Sequence, residues 1–165
     1  MNVSEKLKTR TRLLGIDDAT EHNIALFYPN FASHIDEILD QFYDHILSFP
    51  EARNIFGKND AGIMLKQKQK YHWLTLFSCK LDDNYVSNAL RIGTIHYRIK
   101  VPPYLYMAGY NYFSCKLISV ASLYYGPKIE LTNILSSISR LVTLDMELSL
   151  SAYTKEHWNK KEIPA

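Results

Sequence analysis

The spacing of the apolar residues constrains this chain more than any other feature of its sequence. Between residues 31 and 49 they recur three or four positions apart, at Ile35, Ile38, Leu39, Phe42, Tyr43 and Ile46. This spacing is typical of one buried helical face. The alternation of apolar and polar residues that marks a half-buried strand does not occur over any useful length. The sequence therefore predicts an all-α protein.

Prolines and glycines divide the chain into helical segments. We expect helices over residues 18–28, 31–49, 60–79, 82–100, 103–125 and 128–159, with a short turn at 51–57. Pro29 and Pro50 are expected to end the first two segments, and Pro103 to open the fifth, since proline is tolerated only in a first helical turn. A chain of 165 residues fits a single domain, 1–165. Its core is expected over about 17–158, after an N-terminal extension of residues 1–16.

Composition and motifs exclude several classes of function. The chain has 19 basic and 17 acidic residues, so its charge gives no reason to expect nucleic acid or an anionic membrane as a partner. Neither a signal peptide nor a membrane-spanning apolar run is recognisable, and a cytoplasmic location is expected. There is no phosphate-binding loop, zinc-ligand spacing or nucleophile elbow. No carboxylate is expected to stand alone in an apolar run, so general acid–base catalysis is not predicted.

The last two predicted helices are long and apolar on more than one face. The final helix carries one stripe of Leu131, Leu135, Ile138 and Val142 and a second of Leu141, Leu144, Leu148 and Ala152. A helix with two apolar faces is either fully buried or packs against a partner on one side. The pattern favours a homodimer through a bundle of the last two helices, with Leu144 and Leu148 as candidates for the partner-facing stripe.

His96 is the most informative of the six histidines. On a helix it shares a face with Val86, Ala89 and Gly93, which are small or apolar. Two interpretations remain open, a hydrogen-bonded core histidine, which is the more frequent case, or a ligand of a bound group. Gly93 favours the second, because a glycine inside a helix costs about 1 kcal/mol relative to alanine. Clearance for a flat, bulky group would explain that cost.

Several motifs together resemble one known family. They are FY at 42–43, the stretch from Leu65 to Phe77 with His72 in it, LDDNYV at 81–86, IGTIHYRI at 92–99 and PYLYM at 103–107. In this combination the chain resembles the globin-coupled sensors, which include haem-based aerotaxis transducers and globin-linked diguanylate cyclases. The resemblance extends from about residue 14 to residue 153. It implies a globin-like helical sandwich around one haem b.

The resemblance also implies roles for individual residues. His96 becomes the proximal ligand of the haem iron. Tyr43 becomes the distal hydrogen-bond donor to bound O2, and Leu65 lines the distal pocket. Tyr106 matches a tyrosine beside the proximal histidine, where its hydroxyl can bond the imidazole. The remaining residues expected to contact the haem are Phe42, Ile92 and Gly93.

Three positions depart from the family pattern or leave a role open. Lys68 stands where relatives place a small residue that touches the ligand, and it can extend to solvent, pair with a propionate or approach the iron. Lys100 replaces a glycine at the end of the ligand helix, where a cation suits the helix dipole. His72 lies one turn beyond Lys68 and is conceivable as a second axial ligand, although the resemblance does not favour this.

The function implied is that of a gas sensor. The domain is expected to bind O2, and also CO and NO, and to transmit its ligation state to a signalling output. The resemblance implies a possible output domain after residue 165, and two interpretations stay open, a stand-alone domain or a fragment of a longer protein. The domain itself is not expected to be an enzyme. One alternative is a haem-free globin-like module that binds partners in a stress-signalling complex, and another is a haem dioxygenase or peroxidase. The presence of both His96 and Tyr43 favours the sensor.

Overall fold

The computed structural model of the chain describes residues 3–56 and 62–158, and side chains over 7–56 and 65–153. These residues form seven helices and no strand, which confirms the all-α class. The helices are α1 Val3–Leu14, α2 Asp18–Leu47, α3 Pro50–Phe56, α4 Gly62–Phe77, α5 Asp83–Arg98, α6 Pro103–Tyr125 and α7 Glu130–Trp158. No helix in this part of the chain is long and apolar enough to cross a membrane.

The predicted break at Pro29 is wrong, because α2 runs through it as one helix of 30 residues. An internal proline lacks a backbone donor and crowds the carbonyl one turn earlier. Nearby, the Tyr125 hydroxyl donates to the Leu26 carbonyl at 2.8 Å and so satisfies a backbone acceptor. Phe27 and Phe31, on either side of the proline, are completely buried. Burial of this apolar face outweighs the cost of the lost hydrogen bond.

Both ends of α5 are fixed by local hydrogen bonds. The Asp82 carboxylate accepts the backbone N–H of Tyr85 at 2.9 Å, as an N-cap does. At the other end, Lys100 adopts a φ of 62° and the Val101 N–H donates to the His96 carbonyl at 3.0 Å. Glycine is preferred at such a left-handed position, which gives a physical reason for the family's glycine at Lys100. His96 thus lies in the last turn of a helix with a defined end.

Helix α7 lies at the centre of the packing and contacts α2, α5 and α6, with its most extensive contact against α5. Within the same core, a cluster of aromatic rings joins α4 to α2 and α6. The rings of Phe31 and Phe77 lie 4.7 Å apart, and those of Trp73 and Phe113 stack at 4.3 Å. The site residues on α2, α4, α5 and α6 are therefore held by one continuous core.

The two apolar stripes of α7 were predicted to divide between the domain core and a partner, and the structure contradicts this. Leu141, Leu144, Leu148 and Ala152 are all buried within the chain, and so are Ile138 and Val142. Leu131 and Leu135 are half-buried against the same core. A helix surrounded by three others needs apolar residues on most of its circumference. The second stripe therefore carries no information about a partner.

The N-terminal extension contains a helix that the apolar pattern did not indicate. Helix α1 is mostly polar, and Leu7 is its one fully buried residue among those whose side chains are described. The Arg10 guanidinium donates to the Glu147 carboxylate on α7, with Nη2 and Oε1 at 3.0 Å. Contacts with α5 and α7, rather than its own amphipathicity, hold α1 in place.

Candidate functional site

The side chain of His96 is oriented by a bond to its own helix. Its Nδ1 lies 2.8 Å from the carbonyl oxygen of Ile92. A carbonyl only accepts, so Nδ1 must carry the proton and donate it. In the neutral ring the lone pair is then on Nε2. Ile92, predicted to contact the haem, thus contributes at least its carbonyl, which fixes the tautomer of His96.

Aromatic side chains surround His96. The ring of Tyr106 on α6 meets the imidazole edge-on at 5.0 Å, and that of Phe56 on α3 lies at 6.3 Å. Burial lowers the pKa of His96 below its ordinary value, although the bond to Ile92 opposes the shift. The imidazole is therefore neutral at physiological pH, as a metal ligand must be.

Gly93 has a structural role different from the one predicted. A Cβ at this position would lie 2.0 Å from the backbone oxygen of Ser149 on α7. The same crossing is tied by the Ser149 hydroxyl, which donates to the Ala89 carbonyl at 3.1 Å. Glycine is thus required because α5 and α7 approach each other closely here. Clearance for a bound group is not the reason for it.

Phe42 and Tyr43 lie side by side on α2 but have different surroundings. Phe42 is buried, with its ring 4.9 Å from that of Phe113 on α6. Tyr43 is half-buried, and within the described part of the chain its hydroxyl makes no hydrogen bond. Burial raises the pKa of Tyr43 to about 12. Its hydroxyl is therefore a neutral donor that remains available to a ligand.

The two other distal residues on α4 are exposed. Leu65 has 38% of its surface exposed, and the Lys68 side chain is in solvent. The lysines on either side of Lys68 pair with carboxylates of α2. Lys66 bonds Asp40, and Lys70 bonds Asp36 with Nζ and Oδ2 at 2.7 Å. Of the interpretations left open for Lys68, the structure matches the solvated side chain.

His72 is held by a residue that the sequence analysis did not identify. Its Nε2 lies 2.9 Å from Oδ2 of Asp145 on α7, and its ring is nearly parallel to that of Tyr85 at 6.2 Å. Asp145 is completely buried. A histidine in this position is directed to α7 rather than presented as an axial ligand. Its predicted place among the haem contacts has no support in this geometry.

Asp145 is also the acceptor for two tyrosines. Tyr85 on α5 donates to Oδ1 at 2.7 Å, and Tyr110 on α6 donates to Oδ2 at 2.7 Å. The Tyr110 hydroxyl in turn lies 3.2 Å from that of Tyr106. Burial alone would raise the pKa of Asp145, but the adjacent His72 ring and the three hydrogen bonds lower it below its ordinary value. Asp145 is an ionised carboxylate inside the core.

Asp145 does stand in an apolar run, which the sequence analysis did not expect, but its pKa is not raised there. Asp145 lies between Leu144 and Met146, one helical turn from Leu141 and Leu148, which are both buried. That spacing places it on a core-facing side of α7 and was readable from the sequence. Its pKa is lowered rather than raised, and this depends on donors from three other helices that no local pattern indicates.

The comparisons with known proteins agree with the helical architecture. The sequence profile of the protoglobin family matches residues 3–159. The haem-based aerotactic transducer HemAT of Halobacterium salinarum is 26% identical over 154 residues, covering 87% of this chain and 32% of that protein. The chain thus spans about a third of the length of this relative.

Two solved structures superpose on the chain. The globin domain of the Geobacter sulfurreducens globin-coupled sensor matches with a TM-score of 0.82 and 18% identity, covering 88% of this chain and 96% of that domain. The globin domain of Escherichia coli DosC, in a ferric form, matches with a TM-score of 0.73 and 16% identity, covering 87% and 97%. At these identities the likeness concerns the fold, and it confirms the expected globin-like helical sandwich.

Proposed function

The chain belongs to the protoglobin family, and from this premise we propose that it is a haem-based gas-sensing globin domain in which His96 binds the iron. The observation that carries the proposal is the hydrogen bond from His96 Nδ1 to the Ile92 carbonyl. It leaves a lone pair on Nε2 of a buried, neutral ring, which is the donor that a haem iron takes from a proximal histidine.

The surroundings of His96 fit the same group. Its ring neighbours, Phe56 and Tyr106, are aromatic and suit the apolar face of a porphyrin. Nearby, Tyr153 packs on Tyr106 at 5.5 Å, and its buried hydroxyl has no hydrogen-bond partner among the described residues. Buried polar groups are normally paired, so an unpaired hydroxyl here is consistent with a partner supplied by a bound group. The described residues contain no cluster of three or more metal-ligating side chains, and the donor set is that of a single axial histidine.

Haem b would supply an iron that reversibly binds a diatomic gas, O2 and also CO or NO. The protein's contribution on the distal side is the Tyr43 hydroxyl. It remains protonated because burial raises its pKa to about 12, and its proton is not used elsewhere in the described part of the chain. Such a donor favours O2, which carries partial negative charge in its complex, over the less polar CO.

We assign five-coordinate iron to the ferrous, gas-free protein. His72 would have to leave Asp145 in order to reach an axial position. That move would deprive a fully buried carboxylate of one of its three donors, and leaving a buried acceptor unpaired costs about 1–3 kcal/mol, more when the acceptor is charged. His72 is therefore better explained as a structural partner of α7 than as an iron ligand.

We further propose that the domain forms a homodimer through the last two helices, but by a face other than the one predicted. Helix α6 contains one charged residue, Lys116, which lies over the Tyr112 ring at 5.3 Å. The outward side of α6 has no acidic residue and no basic residue other than Lys116, and it presents Tyr104, Met107, Cys115, Ile118 and Leu123. A long face with a single charge is largely apolar and suits a second copy of this chain across a twofold axis.

Gas binding would act by changing the packing of the helices around His96, since a ligand shifts only those states to which it binds differently. HemAT is named as an aerotactic transducer, and this chain covers a third of it. By analogy the output would be a separate domain, and the globin domain would not itself catalyse a reaction.

Replacing His96 tests the proposal. We expect His96→Ala to be purified without stably bound haem, with incorporation restored by added imidazole. The matched variant is His72→Ala, which should retain haem with a normal spectrum, although the protein should be less stable. If His72→Ala loses haem while His96→Ala keeps it, the assignment is wrong. If neither the wild type nor any variant retains haem, the haem-free partner-binding module becomes the better account.

A further inference from the structure

The Asp145 network extends to the histidine that we assign to the iron. Asp145 accepts from Tyr110, Tyr110 contacts Tyr106, and the Tyr106 ring lies against His96. All four side chains are buried or nearly so, and they belong to α5, α6 and α7. The network thus connects the ligand helix and the last helix through side chains alone, beside the backbone contact at Gly93.

The direction of each proton in this chain follows from chemistry. An ionised carboxylate only accepts, so the single hydroxyl proton of Tyr110 is donated to Asp145. Tyr110 therefore has no proton left for Tyr106. In the bond between the two hydroxyls, Tyr106 must be the donor, and Tyr110 the acceptor. The charge of Asp145 thus makes Tyr110 an acceptor for the Tyr106 proton, and the Ser149 hydroxyl is a second hydrogen-bond partner of Tyr106.

This direction matters for His96. Its bond to Tyr110 holds the Tyr106 hydroxyl within the network, and among the described residues no hydrogen bond joins that hydroxyl to the imidazole. The His96 Nδ1 proton is left with the Ile92 carbonyl as its acceptor. The resemblance implied a bond between the Tyr106 hydroxyl and the imidazole, and in this structure that hydroxyl is engaged by Tyr110 instead. The hydrogen bonds at the outer nitrogen of a ligating histidine set its strength as a donor to the metal.

We propose that Asp145 is a positioning residue for His96, acting through Tyr110 and Tyr106. By anchoring Tyr110, and through it Tyr106, Asp145 holds the Tyr106 hydroxyl away from the imidazole and so sets the strength of the bond between His96 and iron. The inference rests on the proposed function, because it takes His96 to be the iron ligand. If Asp145 acts in this way, the strength with which His96 donates to the iron depends on the position of α7.

A second tyrosine provides a control inside the same network. Tyr85 donates to the other oxygen of Asp145 at the same distance, 2.7 Å, and is equally a buried phenol. Its hydroxyl is bonded to Asp145, and no hydrogen bond joins it to Tyr106 in the described residues. If the network only pins helices together, Tyr85→Phe and Tyr110→Phe should have equivalent effects on the haem. If Asp145 positions His96, only Tyr110→Phe should change the bond between His96 and the iron.

The experiment measures the iron–histidine stretching frequency of the ferrous, gas-free protein by resonance Raman spectroscopy. We expect Tyr110→Phe and Asp145→Asn to move it upward, because the released Tyr106 hydroxyl can then accept from His96 and strengthen its donation to iron. Tyr85→Phe should leave the frequency at the wild-type value. If Asp145→Asn does not fold, the comparison of Tyr110→Phe with Tyr85→Phe is sufficient to test the proposal. Equal shifts in both tyrosine variants, or no shift in Tyr110→Phe, would overturn the proposal.

A second readout needs no haem. In the haem-free chain, the hydroxyl proton of Tyr106 should exchange slowly by NMR in the wild type and in Tyr85→Phe. It should exchange faster in Tyr110→Phe, where the Ser149 hydroxyl is the remaining partner, and an exchange rate unchanged from the wild type would contradict the assigned direction. A wild-type chain that binds no haem refutes the proposed function, and the inference with it. A haem-loaded chain whose tyrosine variants behave alike refutes only the inference.

Discussion

At the scale of single residues, the two histidines near the site differ in which nitrogen the protein uses. In His96, Nδ1 is hydrogen-bonded to the Ile92 carbonyl, and the lone pair of Nε2 remains free. In His72, Nε2 is hydrogen-bonded to the buried Asp145 carboxylate. Both rings are largely covered, so exposure does not separate them. The hydrogen-bond partner of each ring makes one histidine a ligand candidate and the other a structural residue.

Tyr43 offers a residue-scale prediction about gas selectivity. Tyr43→Phe removes only the hydroxyl, which has no other partner in the described part of the chain. A hydrogen bond to a partly charged acceptor contributes about 1.5–3 kcal/mol, so the O2 dissociation rate should rise roughly tenfold or more. The CO dissociation rate serves as the control and should change little. Stopped-flow measurements with equal acceleration for both gases would indicate a steric role instead.

At the scale of helices, α5 and α7 cross each other closely beside the site. It depends on Gly93, whose missing Cβ makes room for the Ser149 backbone. His96 lies three residues further along α5, so the position of this proposed ligand relative to α7 is set at this crossing. Asp145 lies one turn before Ser149 on α7 and adds a polar connection. The site is therefore positioned by one helix pair more than by any loop.

Two glycine substitutions test this view of the crossing. Gly93→Ala should lower the free energy of unfolding by about 3 kcal/mol or more, because its Cβ would lie 2.0 Å from a backbone atom that cannot rotate away. Gly109→Ala on α6 is the matched control, since its Cβ would meet the Phe42 ring at an ordinary 3.6 Å. There we expect no loss, and a gain of up to about 1 kcal/mol from helix propensity. Urea unfolding of both variants measures the difference, and equal effects would contradict the account.

At the scale of the whole molecule, the apolar residues left outside the core are concentrated on α6 and the turn after it. Ile118, Leu123 and Ile129 are exposed there, whereas the apolar stripes of α7 are buried. A charge at Leu144 or Leu148 should therefore unfold the domain rather than separate two copies. The oligomeric state has to be tested on α6.

Ile118→Glu is the variant that tests the dimer. The side chain is 46% exposed, so a folded monomer tolerates the charge, but a twofold interface on α6 would bury it beside its own symmetry mate. We expect a wild-type dimer and a monomeric variant with an unchanged haem spectrum. Leu13→Glu on α1, where the leucine is 76% exposed, should remain dimeric. Analytical ultracentrifugation at micromolar concentration gives the answer, and a monomeric wild type refutes the proposed dimer.

The sequence predicted those features that depend on local chemistry. The helical class and the start of α6 at Pro103 follow from periodicity and from the place of proline in a first helical turn, and the structure confirms them. The continuity of α2 through Pro29 was not predictable in this way, because distant contacts stabilise it. The Tyr125 hydroxyl that satisfies the Leu26 carbonyl lies 99 residues away.

In the candidate site, too, the features that depend on local sequence were predictable, and those that depend on distant contacts were not. His96 and its Ile92 bond lie within one helical turn and were accessible from the motif. The role of Gly93 was misread because the partner that requires it, Ser149, lies on another helix. The Asp145 network was missed because its donors come from α4, α5 and α6, and only the fold brings them together.

The central claim, a haem held by His96 alone, is tested most directly by the absorption spectrum of the purified wild-type protein after reduction without oxygen. The account predicts one haem per chain and the broad single visible band of five-coordinate, high-spin ferrous iron, which O2 and CO then change reversibly. Protein that retains no haem would contradict the claim. Sharp, split visible bands of a six-coordinate, low-spin iron in the absence of gas would contradict it as well, because a second side chain would then occupy the position assigned to the gas.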